Sequence, residues 1–155
     1  MEDARSSTGG CLCGAVRYEA FGNRRNSLLC HCRMCQRASG APFLALFFVE
    51  SDKLKVTQGE LRVYRFSARA DRLLCADCGS PLFLQRHNQS HTRGIFVGSL
   101  DDPNSFRPEL HVCVSSSMSW LDINDDAPRY PEKPEGMTPT LNYDPVTGEA
   151  EVRDG

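Results

Sequence analysis

Seven of the eight cysteines in this 155-residue chain fall into three tight groups. These are Cys11-Leu12-Cys13, Cys30-His31-Cys32-Arg33-Met34-Cys35 and Cys75-Ala76-Asp77-Cys78, with Cys113 standing apart. Cysteines two or three residues apart can place their sulfurs on one side of the chain, a spacing suited to a metal ion. An even count also admits a disulfide framework, but that framework needs an oxidising compartment. No charged start, apolar run and cleavage site opens the chain, so metal ligation in a soluble, cytoplasmic protein is the expectation. The longest apolar stretch, Ala41 to Val49, is nine residues with a proline in second place, too short to cross a bilayer.

Apolar residues make up 40% of the chain and charged residues 25%, enough for one packed core and against global disorder. The net charge of −2 gives no general pull toward nucleic acid, and no nucleic-acid or membrane partner is expected. The charge is uneven. Glu132, Glu135, Asp144, Glu149, Glu151 and Asp154 face only Lys133 and Arg153 after residue 130, which leaves a slightly basic body suited to anionic small molecules.

Short β-branched, aromatic or alternating runs recur between turn signals such as Gly22-Asn23, Gln58-Gly59 and Asp101-Asp102-Pro103-Asn104. They predict strands at Ala15–Phe21, Ser27–Cys30, Pro42–Val49, Leu54–Thr57, Leu61–Phe66, Arg72–Leu74, Leu82–Arg86, Gly94–Leu100 and Leu110–Val114. One short helix is predicted at Met34–Ser39, stopped by Gly40 before Pro42. The fold class is mainly β, with coiled antiparallel sheets and minimal helix. Five of the nine prolines lie at or beyond Pro128, so the chain after about Ala127 reads as an extended, acidic, proline-rich segment.

Zinc is the natural metal for clustered thiolates in a reducing cell, and it takes four ligands in a tetrahedron. Seven cysteines do not divide by four. One complete site leaves three thiolates and an open position, and closed sites are usually structural whereas open ones do chemistry. Spacing favours joining Cys11 and Cys13 to Cys75 and Cys78, leaving Cys30, Cys32 and Cys35 as a local three-thiolate claw. The competing arrangement joins Cys32 and Cys35 to Cys75 and Cys78.

Three blocks carry a resemblance: Gly10-Cys11-Leu12-Cys13-Gly14-Ala15-Val16-Arg17-Tyr18, the run from Cys30 through Ser39-Gly40-Ala41-Pro42, and Cys75-Ala76-Asp77-Cys78-Gly79. In this order they resemble the glutathione-dependent formaldehyde-activating family, which also contains the centromere-protein-V-like domains. The resemblance covers about residues 8–131, which it implies are the zinc-binding domain, and leaves 132–155 as the acidic, proline-rich tail. The resemblance implies a β-tent fold, a structural zinc on Cys11, Cys13, Cys75 and Cys78, and a second, catalytic zinc on Cys30, Cys32 and Cys35. It implies two zinc ions per chain, with glutathione as co-substrate or ligand and a small aldehyde such as formaldehyde as the other partner. The reaction so implied is that of a carbon–sulfur lyase, or synthase, related to S-(hydroxymethyl)glutathione synthase.

The charge of the claw agrees with that chemistry. Three thiolates around a divalent ion carry about −1, which makes a poor Lewis acid for water but a soft site for a further thiol. A thiol held there loses its proton and becomes a nucleophile beside an aldehyde. Arg33, Gln36, Arg37 and Ser39 flank the claw and are candidate contacts for a glutathione-like ligand. His31 is expected to support or pack rather than ligate, and Cys113, alternating with His111 along a strand, to be a small buried residue rather than a fourth ligand. Trp120, Phe43, Phe47 and Phe48 are expected in the core. The alternative function is a non-catalytic zinc domain that binds glutathione or a macromolecule.

Overall fold

A computed structural model of the chain describes residues 6–65, 67, 70–134, 142–143 and 150–151. It is mainly β, as the sequence predicts, with one α-helix among the described residues. Two compact units divide the chain. The first runs up to Ser27 and resumes at Leu46–Arg107, and the second comprises Leu28–Ala45 and the chain from Pro108 on.

In the first unit lie β1 (Ser7–Gly10), β2 (Arg17–Ala20), the start of β3 (Arg25–Cys30), most of β4 (Leu44–Glu50), β5 (Leu54–Gln58), β6 (Leu61–Arg65), β7 (Ala70–Cys75), β8 (Pro81–Arg86) and β9 (Thr92–Phe96). Strands β1, β2 and β5 form an antiparallel sheet, and β4, β9, β8, β7 and β6 follow one another antiparallel in a second. Alternation sets the core: Tyr18, Phe47, Leu82, Phe83 and Ile95 are all but fully buried. The Tyr18 ring stands edge-on to Phe83 at 4.9 Å, and its hydroxyl pairs with Ser99 at 2.7 Å. Burying a ring such as Phe83 is worth about 2–3 kcal/mol.

Strand β1 is absent from the sequence reading because Ser-Thr-Gly-Gly has no apolar alternation. It forms through its partner, with Ser7 opposite Ala20 and Gly10 opposite Arg17. Gly9 allows the approach, since a Cβ there would overlap the Tyr18 ring. The run predicted as one strand from Gly94 to Leu100 breaks at Phe96, where a 3-10 turn, Val97–Ser99, is closed by Ser99 donating to the Phe96 carbonyl at 2.7 Å.

An ion pair ties β2 to the segment after that turn. Arg17 grips Asp101 through both guanidinium nitrogens while Thr8 donates to the same carboxylate at 2.6 Å. Arg17 first, then Thr8, hold the Asp101 carboxyl down at about 2. A depressed carboxyl contributes stability above its unfolded pKa near 4 and loses it as the pH falls toward 2, so the contribution is complete at pH 7. Both side chains are part-exposed, which limits the effect to under ~1 kcal/mol. Asp101→Asn should lower the urea midpoint of zinc-loaded protein at pH 7 in low salt, and by less in 1 M salt. An equal loss at both salts would contradict the ion-pair account.

The second unit holds the end of β3, α1 (Arg33–Ser39) and β10 (Leu110–Val112). Leu28–Cys30 pairs with β10 in parallel, so the sheets are mixed rather than wholly antiparallel. The helix starts on Cys32, whose sulfur accepts from the Cys35 N–H at 3.3 Å, and ends at Gly40 in the left-handed region (φ 70°). Strand β10 stops at Val112, so the expected alternation of His111 with Cys113 does not hold: Cys113 has left the strand. Residues 128–132 line β10 and the turn after it, with His111 donating to the Pro128 carbonyl at 2.8 Å and Cys113 to that of Glu132 at 3.3 Å. Trp120 is 69% exposed, against the expectation of burial, because it sits in a turn with no sheet face to cover it.

Of the predicted tail, residues 132–134 and one antiparallel pair, β11 (Asn142–Tyr143) with β12 (Ala150–Glu151), are described, and the rest lies outside the described residues. Phe66, the last residue of the strand predicted at Leu61–Phe66, also lies outside them. No helix among the described residues is long and apolar enough to cross a membrane.

Candidate metal centres

Each unit carries one cysteine cluster. In the first unit the thiols of Cys11, Cys13, Cys75 and Cys78 all lie within 4.8 Å of one another. Cys11 and Cys13 come from the turn between β1 and β2, and Cys75 ends β7 at the turn leading to β8. Backbone amides point at the sulfurs: Val16 N–H donates to Cys11 at 3.2 Å and Cys78 N–H to Cys75 at 3.4 Å. The first turn is braced from β5. Gln58 donates to the Ala15 carbonyl at 3.2 Å, and Gly59 (φ 84°) packs where a Cβ would overlap that carbonyl.

Charge in this cluster is unequal. The Ser80 hydroxyl, 3.0 Å from the Cys78 sulfur, is the main cause that draws that thiol down to about 5. Cys13 goes the other way, to about 12: the Ala15 amide lowers it, but the thiols of Cys11 and Cys78 outweigh that. The Cys78 thiolate is therefore ready at neutral pH, and a cation would offset the repulsion that raises Cys13.

In the second unit Cys30, Cys32 and Cys35 bring their thiols within 4.8 Å of one another. The end of β3 supplies the first, the helix cap the second and the first turn of α1 the third. Cys32 is drawn well below the ordinary thiol range by the neighbouring thiol of Cys113, then by Cys30, Cys35 and the Cys35 amide. Cys30 and Cys35 are pushed up by the thiols around them.

His31, between two of these cysteines, is 2% exposed. Its Nε2 meets Nδ1 of His111 at 3.0 Å with the rings stacked, and His111 Nε2 meets the Asp125 carboxylate at 2.9 Å. Arg129 closes the chain at 3.2 Å from the same carboxylate. Burial first, then the neighbouring His111, lowers the His31 pKa and keeps its ring neutral. Both rings line a cavity of about 210 Å³ together with Val114, Ser117 and Arg129. Asp125 and Arg129 escaped the sequence reading because nothing in the spacing from His111 marks a partner across an irregular segment.

The four flanking candidates divide. Gln36 is buried, its amide donating to the carbonyls of His31 at 2.7 Å and Ser116 at 2.9 Å, so it fixes α1 under the claw. Arg33 donates to the Gln36 side-chain oxygen. Ser39 donates to the Cys35 carbonyl at 2.7 Å, and Arg37 is exposed at the end of the helix.

Comparison with known proteins decides the kinship. The glutathione-dependent formaldehyde-activating enzyme family matches residues 6–116, well over half of the chain. The chain belongs to this family. A curated relative from Schizosaccharomyces pombe, named an uncharacterized lyase, is 32% identical over 116 residues, covering 74% of this chain and 83% of the relative. The crystal structure of a Rhodobacter sphaeroides protein superposes with a TM-score of 0.51 at 26% identity, covering 63% of this chain and 93% of that one. Both cysteine clusters lie within the family match, whereas Asp125 and Arg129 lie beyond it.

Proposed function

We propose that the chain is a zinc-dependent enzyme of the lyase class that joins a small thiol, glutathione or a close relative, to a small aldehyde such as formaldehyde. Family membership and the lyase-named relative support the class. The observation that carries the reaction is the claw: three thiols within 4.8 Å of one another, one strongly disposed to ionise, on a helix anchored by a buried glutamine. Donor chemistry fits zinc at both clusters, since every donor is a sulfur and mutual spacing suits a tetrahedral shell. Cys11, Cys13, Cys75 and Cys78 would hold a structural ion, and Cys30, Cys32 and Cys35 a second one.

When bound at the claw, zinc supplies a positive centre that favours the thiolate form of an incoming thiol. Cys30, Cys32 and Cys35 would hold that ion at the start of α1, and so fix where the incoming sulfur is bound. Gln36 holds the helix start to the His31 and Ser116 carbonyls, which keeps Cys32 and Cys35 in place. Arg33 and Arg37 supply positive charge for the carboxylates of a glutathione-like ligand. In the reaction a carbon–sulfur bond forms, and the proton given up by the thiol ends on the former carbonyl oxygen.

The second reading, a zinc domain that binds glutathione without turnover, is favoured by the fourth thiol, Cys113, beside the claw. Calorimetry with glutathione and S-methylglutathione tests the thiol-binding step that both readings share. Glutathione should bind at least about tenfold more tightly, a difference near 1.4 kcal/mol, because the thioether has no proton to lose and coordinates weakly. Equal affinities would place recognition on the arginines and remove the chemical basis of the proposal.

A further inference from the structure

Cys113 is buried and breaks the backbone pattern around it. At φ 58° and ψ 38° it occupies the left-handed region, which residues with a Cβ adopt at a cost and which clusters at functional sites. The turn is fixed on both sides: Cys113 N–H donates to the Glu132 carbonyl at 3.3 Å, and Ser116 N–H donates to the Cys113 carbonyl at 3.1 Å. Register places it at the claw. Val112 lies opposite Cys30 in the parallel pair, and His31 N–H donates to the Val112 carbonyl at 3.1 Å. The Cys113 thiol then interacts with the thiols of both Cys30 and Cys32. A cysteine that only fills space needs apolar neighbours, not two thiols of a metal claw.

We infer that Cys113 is the fourth thiol ligand of the claw metal, so that the resting site is closed and an incoming small thiol binds by taking the place of Cys113. The inference rests on the zinc reading above and deepens it. Cys113 stands outside the group of three thiols that lie within 4.8 Å of one another, so closure draws its sulfur toward that group. In the exchange the bond from the metal to Cys113 breaks and one to the entering sulfur forms. Cys113 takes up the proton that the entering thiol gives up, and the charge of the site is unchanged. Cys113 thereby protects the claw from water and adventitious ligands, and favours entrants that are themselves thiols.

Zinc-edge X-ray absorption on the full chain, loaded with two zinc ions and reduced with a phosphine rather than a thiol, tests this. The wild type should show an all-sulfur shell at about 2.3 Å. Cys113→Ser should add a lighter ligand near 2.0–2.2 Å, averaging about one-half per zinc, and should bind glutathione about tenfold more tightly for want of an internal competitor. Cys113→Ala should behave as the serine variant does. A lighter ligand already present in the wild type and unchanged in both variants would overturn the role of Cys113 while leaving the two-zinc reading intact. A single zinc per chain would overturn that reading itself.

Discussion

Cys78→Ser should abolish cooperative unfolding of the protein rather than weaken it by degrees. The four thiols of this cluster join the turn after β1 to the turn after β7, more than sixty residues apart in sequence, so a metal held there closes a long loop. Structural zinc at such a site contributes about 10–16 kcal/mol of apparent binding free energy, against a typical domain stability of 5–15 kcal/mol. The Cys78 thiol is also drawn down to about 5, because the Ser80 hydroxyl and amide favour its charge. Near-ultraviolet circular dichroism and metal analysis would read the loss together. A variant that melts within a few degrees of the wild type and keeps its zinc would remove the structural role.

Cys32→Ser should leave a folded protein with about one zinc per chain and a glutathione affinity reduced by at least about a hundredfold. Serine is a favoured helix N-cap, so its hydroxyl can accept from the Cys35 N–H as the Cys32 sulfur does, and α1 keeps its start. The substitution therefore separates metal chemistry from helix stability. It removes one of the three thiols of the claw. Two zinc ions per chain with unchanged glutathione binding would contradict the claw as the chemical site.

The sequence was most legible where physics is local. Alternation marked most strands because their apolar residues face a common core, and Gly40 marked the helix end because only a left-handed residue fits there. Cysteine spacing alone left two groupings open. In the structure the turn before β2 and the turn after β7 lie together, which brings Cys11 and Cys13 to Cys75 and Cys78. What stayed hidden depends on partners distant in sequence. Strand β1 exists because β2 pairs with it, and the parallel pairing of β10 with β3 leaves no mark in either segment. Asp125 reaches His111 from an irregular stretch, and β10 ends two residues short of the predicted Val114, which leaves Cys113 in the turn that follows it. Gln36 read as a contact for a glutathione-like ligand because it flanks the claw, yet its amide is taken by the carbonyls of His31 and Ser116.

The direct test of the catalytic claim is the rate at which glutathione and formaldehyde exchange with their adduct, followed by NMR magnetisation transfer at neutral pH. This adduct also forms without a catalyst, so the comparison is between zinc-loaded wild type, Cys32→Ser and buffer. The account predicts faster exchange with the wild type, in proportion to protein concentration, and the buffer rate with Cys32→Ser. Exchange at the buffer rate with all three samples, while the wild type holds two zinc ions and binds glutathione, would contradict it and leave a thiol-binding zinc domain in its place.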